Sequence, residues 1–168
     1  MSVFASNPKI MIDLSQLNDY TDICNIMKNH NVTKYVYEFR HNGIVIKYGY
    51  SADHARIYGD RLYRQAGYLP GWNRPTLVGP SGVEMYFINE DYKAITGVSL
   101  SRQLISITVT DLSGQTKENC VELERYLIDT HITMFGEPPI GNKDPRTKFE
   151  HKKHHNTKHF MRLFDVLT

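Results

Sequence analysis

The clearest regular pattern along the chain is a strand-like alternation of apolar and polar residues on both sides of a short polar turn. Residues 34–39 and 44–50 alternate with a period of two, and His41-Asn42-Gly43 separates them. Asn-Gly pairs favour the tight turns that join two antiparallel strands, so the pattern predicts a β-hairpin. Before the hairpin, residues 18–30 place their apolar side chains at mostly helical spacing, and Asn31 follows as a helix stop. This spacing predicts an N-terminal helix.

The rest of the chain adds helical and strand-like stretches. Residues 57–66 and 117–135 have helical spacing, and the second stretch ends at a Gly/Pro-rich sequence. Residues 83–88 and 104–110 are strand candidates, and residues 70–82 form a Pro/Gly-rich stretch that suits a working loop. Strands and helices joined by short links predict a single α+β domain.

Composition is that of a folded protein, and it also bears on the cellular location that we expect. Of the 168 residues, 40% are hydrophobic and 23% are charged, which is typical of a folded soluble chain. No apolar run approaches the roughly 20 residues that span a bilayer, and the N-terminus lacks a signal-peptide pattern. Cys24 and Cys120 form neither a CxxC pair nor a disulfide framework. We therefore expect a cytoplasmic protein with no membrane partner.

One carboxylate of the helix predicted for residues 117–135 does not lie on the helix's charged side. At about 100° per residue, Glu124 shares its side with apolar residues such as Cys120 and Leu127, whereas Glu122 belongs to the charged side. A buried, ionised carboxylate is costly unless it is paired or bound to a metal. Glu124 is therefore either an internal salt-bridge partner or a metal ligand.

Two other places suggest groups that act on a phosphate. Arg61 lies at the border of the apolar side of its predicted helix, so it either lies over the rim of the core or is aimed at a phosphate. In the hairpin, Tyr37 and Lys47 are either a cross-strand packing pair or a catalytic pair. An ammonium beside a phenol favours the phenolate, so Tyr37 next to Lys47 would serve as a general base.

Taken in order, these residues resemble the motifs of the GIY-YIG nucleases. Tyr35-Val36-Tyr37 looks like the first strand motif of that family, and Lys47-Tyr48-Gly49-Tyr50-Ser51 looks like the second strand motif with its following serine. Residues 59–64 resemble the helix that carries the family's arginine. Residues 124–128 resemble its helix with the metal-binding glutamate, and Asn142 resembles its late asparagine.

The resemblance implies a small antiparallel three-stranded β-sheet flanked by helices, and the hydrolysis of DNA phosphodiesters with Mg²⁺ or Mn²⁺ as cofactor. A single protein carboxylate suits Mg²⁺, which keeps several waters and uses substrate phosphates as ligands. The implied roles are a base acting on water for Tyr37, electrostatic tuning of that base for Lys47, a phosphate clamp for Arg61, a metal ligand for Glu124, and the orientation of water or backbone for Asn142.

The chain departs from the family's pattern at three positions. Tyr35 stands where glycine is usual, and Gln65 stands where a histidine is often found. Lys47 stands where tyrosine is usual, and an alignment shifted by one residue puts Tyr48 there instead. Neighbouring strand residues face opposite ways, so strand parity decides between the two. We favour Lys47, because some restriction enzymes of this family use lysine at that place.

The resemblance covers residues 33–142 and divides the chain into three parts. Residues 1–32 are an N-terminal helical extension, residues 33–142 are the nuclease-like core, and residues 143–168 are a basic, His-rich segment that ends in an amphipathic piece at 160–167. Such a basic segment is either a solvated tail or helix, or a surface that binds the backbone of a nucleic acid. The predicted nucleic-acid-binding residues are Arg146, Lys148, Lys152, Lys153, Lys158 and Arg162.

The expected partner is double-stranded DNA. One site cuts one strand at a time, so we also expect a homodimer on DNA if both strands are cut. Two alternatives stay open: a catalytically inactive nucleic-acid-binding module of the same fold, and an RNA nuclease. The small size and the lack of a separate DNA-reading domain favour a phage-like or restriction-like enzyme, in the host cytoplasm if phage-encoded.

Overall fold

An antiparallel β-sheet carries the fold, and helices pack against it. The computed structural model describes residues 7–52, 60–70, 72 and 79–143. Within these residues the sheet has four strands in the order β1-β4-β2-β3. The strands are β1 (Lys9–Asp13), β2 (Tyr35–His41), β3 (Ile44–Ser51) and β4 (Ile105–Asp111). The helices are α1 (Asp22–Asn29), α2 (Asp60–Gly67), α3 (Gly79–Thr96), α4 (Lys117–Phe135) and the short α5 (Ile140–Lys143).

The predicted hairpin is confirmed as β2 and β3, which pair in antiparallel fashion. Asn42 and Gly43 lie in the turn with φ angles of 50° and 84°. Positive φ at both central residues is the geometry that lets a two-residue turn follow the twist of its strands, and asparagine and glycine tolerate it best. The pairing register shifts between Phe39 and Arg40, so the hairpin contains one irregularity before its turn.

The sheet has four strands where three were expected, and the α+β class is confirmed. The additional strand is β1, which pairs along β4 from Lys9↔Thr110 to Asp13↔Ser106. Its sequence shows little strand pattern because only Ile10 and Ile12 are apolar on its inward face, while Met11 on the opposite face is 70% exposed. So short an alternation does not distinguish a strand from an irregular polar stretch.

The strand predicted for residues 83–88 is wrong, because these residues lie inside α3. Met85, Ile88 and Tyr92 are buried, and their spacing of three and four residues is helical. A short apolar run fits both a buried strand and a buried helix, and only the partner surface decides between them. The helix predicted for residues 117–135 has the same bounds as α4.

Helices cover both faces of the sheet. Tyr37 and Phe39 belong to the large apolar core, which they share with residues of α1, α2 and α3 such as Met27, Leu62 and Ile88. Val36 points to the other face, where it packs in a second cluster with Cys120 and Leu123 of α4. The sheet therefore separates α4 from α1, α2 and α3. Among the described residues, the helices are too short or too polar to cross a membrane.

Candidate functional site

Strand parity brings Lys47, and not Tyr48, to the face of the sheet that carries Tyr37. In the hairpin register Tyr37 is opposite Gly49, and Phe39 is opposite Lys47. Side chains that are directly or diagonally opposite in an antiparallel pair lie on the same face. Tyr48 is opposite Glu38 and therefore points to the other face.

Gly49 allows the ring of Tyr37 to cross over the backbone of β3. A Cβ atom built on Gly49 would lie 2.3 Å from both Cζ and the hydroxyl oxygen of Tyr37. Such a distance is far inside van der Waals contact, so a larger residue at this position would displace the ring. Glycine within a strand often marks such a close approach.

Tyr37 and Lys47 are linked by a continuous chain of polar contacts. The Tyr37 hydroxyl donates a hydrogen bond to Oε1 of Gln65 on α2, at 2.5 Å. Nε2 of Gln65 donates to Oε2 of Glu84 on α3, at 3.2 Å. The other carboxylate oxygen of Glu84 forms an ion pair with the Lys47 ammonium. Four side chains from two strands and two helices of the fold therefore form one polar cluster, which we call the Tyr37 cluster.

The Tyr37 cluster lies inside the core. The exposed fraction is 1% for Tyr37, 2% for Gln65, 6% for Lys47 and 8% for Glu84. At such depth a lone charge is costly, and the pairing of Lys47 with Glu84 removes the cost of leaving either one unpaired. The expected neighbour of the Lys47 ammonium was the Tyr37 phenol. The structure shows that the ammonium is bound by a carboxylate, which is joined to that phenol through Gln65.

Sequence reasoning missed Glu84, because it lay in a stretch assigned to a strand. On the helix α3, Glu84 is about 40° round from Ile88 and about 80° from Tyr92, so it borders the buried side. The signal that marked Glu124 on α4 therefore marks Glu84 as well, once the helix is recognised. Gln65, noted only as a departure from the usual histidine, is the residue that connects Tyr37 to this carboxylate.

Tyr48 has a different environment from Tyr37. Burial, with the Glu38 carboxylate beside it, raises the pKa of Tyr48 to about 12. Glu38 also forms an ion pair with Arg40, which lies two residues along β2. A phenol with this pKa stays protonated at neutral pH, so Tyr48 is not a base in this conformation.

Asn142 binds the backbone of β3, the outer strand of the hairpin. Its Oδ1 accepts a hydrogen bond from the Tyr48 N–H, and its Nδ2 donates to the Tyr48 carbonyl, both at 2.8 Å. Next to it, a Cβ on Gly141 would lie 2.6 Å from the Ile46 carbonyl oxygen, so α5 sits directly against the strand. Asn142 thus acts on the backbone one residue from Lys47.

Glu124 lies on α4, across the sheet from the side chains of Tyr37 and Lys47. It is half-buried, next to the packed residue Leu123. In residues 7–52, 60–70, 72 and 79–143, no three His, Cys, Asp or Glu side chains are grouped closely enough to hold a metal ion. The structure thus brings Tyr37 and Lys47 into one cluster, places Asn142 beside β3, and puts the helix of Glu124 on the opposite face.

Other candidate residues lie wholly or in part outside the described residues. The backbone of Arg61 is part of α2, but its side chain is not among the described ones. The whole predicted nucleic-acid-binding set lies outside the described residues: Arg146, Lys148, Lys152, Lys153, Lys158 and Arg162. Comparisons with protein-family models, curated proteins and solved structures found no match for this chain.

Proposed function

We propose that the protein is a metal-dependent DNA endonuclease that hydrolyses phosphodiester bonds. The observation that carries the proposal is the Tyr37 cluster, in which a phenol and an ammonium from the two hairpin strands are held on one face of the sheet by polar side chains. Motif order supports it, since the hairpin is followed by the helix of Arg61, the helix of Glu124 and then Asn142.

The proposed reaction requires a base, a clamp for the phosphate and a stabilised leaving group. Tyr37, as phenolate, takes a proton from the attacking water while the new P–O bond forms and the bond to the sugar oxygen breaks. Lys47 favours the phenolate through its positive charge. Arg61 holds the non-bridging phosphate oxygens, for which the planar guanidinium is well suited.

Glu124 is the proposed ligand of Mg²⁺ or Mn²⁺. A half-buried carboxylate is a hard oxygen ligand of the kind that Mg²⁺ takes, and Mg²⁺ binds through few protein groups when substrate phosphates complete its shell. When bound, the metal supplies charge stabilisation for the leaving oxygen. α4 packs against the face opposite Tyr37, so Glu124 and Tyr37 belong to opposite faces of the sheet.

The proposal also assigns a role to Asn142 and names the substrate and the oligomeric state. Asn142 contributes by fixing the backbone of β3 at Tyr48, and through it the position of Lys47. Double-stranded DNA is the proposed substrate, bound through the phosphates by the basic residues beyond 143. A double-strand break requires a second copy of the chain, so we propose a homodimer on DNA.

The decisive experiment is incubation of purified protein with supercoiled plasmid and Mg²⁺ or Mn²⁺. Wild type should nick or linearise the plasmid. Tyr37→Phe should lower turnover by roughly 10²-fold, the usual worth of a general base, and Glu124→Gln should abolish cutting while DNA binding persists. The matched controls are Tyr126→Phe and Glu122→Gln, which change exposed residues of α4. Equal activity of Glu124→Gln and Glu122→Gln would show that Glu124 is not the metal ligand.

A second candidate is a nucleic-acid-binding module of the same fold without catalysis. Two observations favour it: Tyr37 is 1% exposed, and its hydroxyl donates to a neutral amide that cannot take up its proton. A protein that shifts DNA in a gel but leaves plasmid uncut with both metals would be this module. Cutting of RNA with plasmid spared would instead identify an RNA nuclease.

A further inference from the structure

Glu84 is the one carboxylate among the described contacts of the Tyr37 cluster, and both of its oxygens have protein donors. Oε1 receives the Lys47 ammonium, and Oε2 receives the amide of Gln65 at 3.2 Å. A carboxylate whose two oxygens are occupied in this way is suited to align its donors.

The two donors that Glu84 holds are the two groups that act on Tyr37. Gln65 accepts a hydrogen bond from the Tyr37 hydroxyl at its own Oε1, and a hydrogen bond from its Nε2 to Glu84 fixes which way the amide faces. Lys47 lies diagonally from Tyr37 across the hairpin, and Glu84 holds its ammonium. The position of one side chain on α3 therefore controls both the hydrogen bond and the positive charge near the phenol.

We infer that Glu84 is a positioning residue of the proposed nuclease: it holds Lys47 and Gln65 in the geometry that sets the charge state of Tyr37. The inference rests on the proposed function for its catalytic part. Its electrostatic part concerns only the described side chains and is independent of whether the protein cuts DNA.

Other titratable side chains on this face, among the described residues, include Tyr35 and His41. The rings of Tyr35 and Tyr37 have centroids 6.0 Å apart, and His41 at the far end of β2 is bound to Tyr92 and to the Ser101 backbone. β4 presents the apolar residues Val109 and Ile107 opposite Tyr37 and Phe39. Lys47 and Glu84 are the charged groups that the described contacts connect to Tyr37.

Removing the charge of Glu84 and removing the charge of Lys47 should move the pH at which Tyr37 ionises in opposite directions. Glu84→Gln removes a negative charge and leaves the ammonium, so Tyr37 should ionise at lower pH. Lys47→Met removes the positive charge and leaves the carboxylate, so Tyr37 should ionise at higher pH. Each change should be about one pH unit or more, and the charge-free double variant should return towards wild type.

The first measurement is NMR of protein labelled with ¹³C at the tyrosine Cζ, titrated with pH, with the Tyr37 signal assigned by its loss in Tyr37→Phe. The second is the pH dependence of single-turnover plasmid cleavage. The pH optimum should move in the same directions as the NMR midpoint. The rate constant at the optimum should fall about tenfold or more in Glu84→Gln, because Lys47 and Gln65 lose their shared partner. Glu90→Gln, an exposed change on the same helix, should alter neither measurement.

Different results would overturn the positioning role of Glu84 and the proposed nuclease activity. If Glu84→Gln and Lys47→Met move the Tyr37 midpoint in the same direction, or by no more than Glu90→Gln, the positioning role of Glu84 is overturned. If Glu84 had only a structural role, Glu84→Gln would lower the stability of the protein and leave the Tyr37 midpoint and the pH optimum of cleavage unchanged. If Glu84→Gln does not fold, the double variant compared with Lys47→Met isolates the effect of Glu84. If the two variants shift the Tyr37 midpoint in opposite directions but the wild-type protein cuts neither plasmid nor RNA, the proposed nuclease activity is refuted and the electrostatic coupling is retained.

Discussion

At the scale of single residues, the ring of Tyr37 fills the space that a side chain at Gly49 would need. Gly49→Ala places a methyl group 2.3 Å from the Tyr37 hydroxyl, so either the ring or the strand must move. We expect a loss of about 1–3 kcal/mol in the free energy of unfolding, measured by urea denaturation. Plasmid cleavage should fall together with it, because the Tyr37 hydroxyl leaves its place.

The control for this change is Gly114→Ala. A Cβ on Gly114 meets no atom within 4 Å. Its stability should therefore stay within about 0.5 kcal/mol of wild type. A Gly49→Ala protein as stable and active as Gly114→Ala would mean that Tyr37 does not cross β3 in this way.

His41 is a second buried residue whose state depends on its neighbours. Its Nε2 accepts a hydrogen bond from the Ser101 N–H at 3.1 Å, and its Nδ1 lies 2.8 Å from the Tyr92 hydroxyl. An Nε2 that accepts is unprotonated, so the neutral ring carries its proton on Nδ1 and donates to Tyr92. Burial lowers the pKa of His41, since the charged form loses its hydration.

This lowered pKa predicts a loss of stability in mild acid. Because the folded-state pKa is below the unfolded value of about 6.5, the unfolded chain takes up this proton first as the pH falls. The contribution of His41 is therefore fully present above about pH 6.5 and is lost progressively below it. Urea midpoints measured from pH 8 to pH 5 should show this decline, and His41→Gln should reduce its slope. The exposed change His30→Gln should leave the slope as it is in wild type.

At the scale of secondary structure elements, α5 closes the outer strand of the hairpin. Exposed edge strands present unpaired N–H and C=O groups to other chains, and a covering segment is one way to avoid that. Asn142 does this at Tyr48, where its side-chain amide takes the place of a further strand's backbone. The short α5 is thus a structural part of the sheet edge as well as a part of the candidate site.

Asn142→Ala should cost about 1–3 kcal/mol in the free energy of unfolding, since it leaves the half-buried N–H and C=O of Tyr48 without these partners. Asn29→Ala, at an exposed position at the end of α1, is the matched control and should cost far less. If cleavage by Asn142→Ala stays at the wild-type rate once the folded fraction is equal, Asn142 supports the fold and does not serve the reaction.

At the scale of the whole molecule, positive charge is concentrated towards the C-terminal end of the sequence. Net charge is +2, and residues 143–162 contain seven of the 20 Lys and Arg residues. If this end holds phosphates, each contact releases counterions, and DNA affinity falls steeply as salt rises. Replacing Lys152, Lys153 and Lys158 with Gln should flatten the dependence of log Kd on log salt concentration and weaken binding equally across DNA sequences.

The control for the basic end changes the same number of lysines elsewhere. Lys28, Lys93 and Lys117 are exposed on α1, α3 and α4. Their replacement with Gln alters the net charge equally, so it separates a local contact from the overall field of the protein. Equal salt slopes for the two triple variants would show that residues 152–158 are not a phosphate-binding site.

Local sequence was enough to predict the elements whose signals lie within a few neighbouring residues. The Asn-Gly turn specified the hairpin, and α4 begins at a Thr116 N-cap and ends before Gly136, as its helical spacing indicated. Parity along β3 also followed from sequence once the register was known, which is why Lys47 shares a face with Tyr37. The reason is physical: turn geometry, capping and side-chain alternation are properties of the local backbone.

Tertiary structure alone decided which of these residues meet. β1 joins the sheet by pairing with β4, nearly 100 residues away along the chain. α3 is a helix because the surface formed by α2 and the sheet buries Met85 and Ile88, and this brings Glu84 to Lys47. The same packing puts α4 on the other face, so that two inward-facing carboxylates, Glu84 and Glu124, lie on opposite sides of the sheet. Periodicity identifies which side of a helix is buried, but the face of the sheet that covers it depends on long-range contacts that no local pattern encodes.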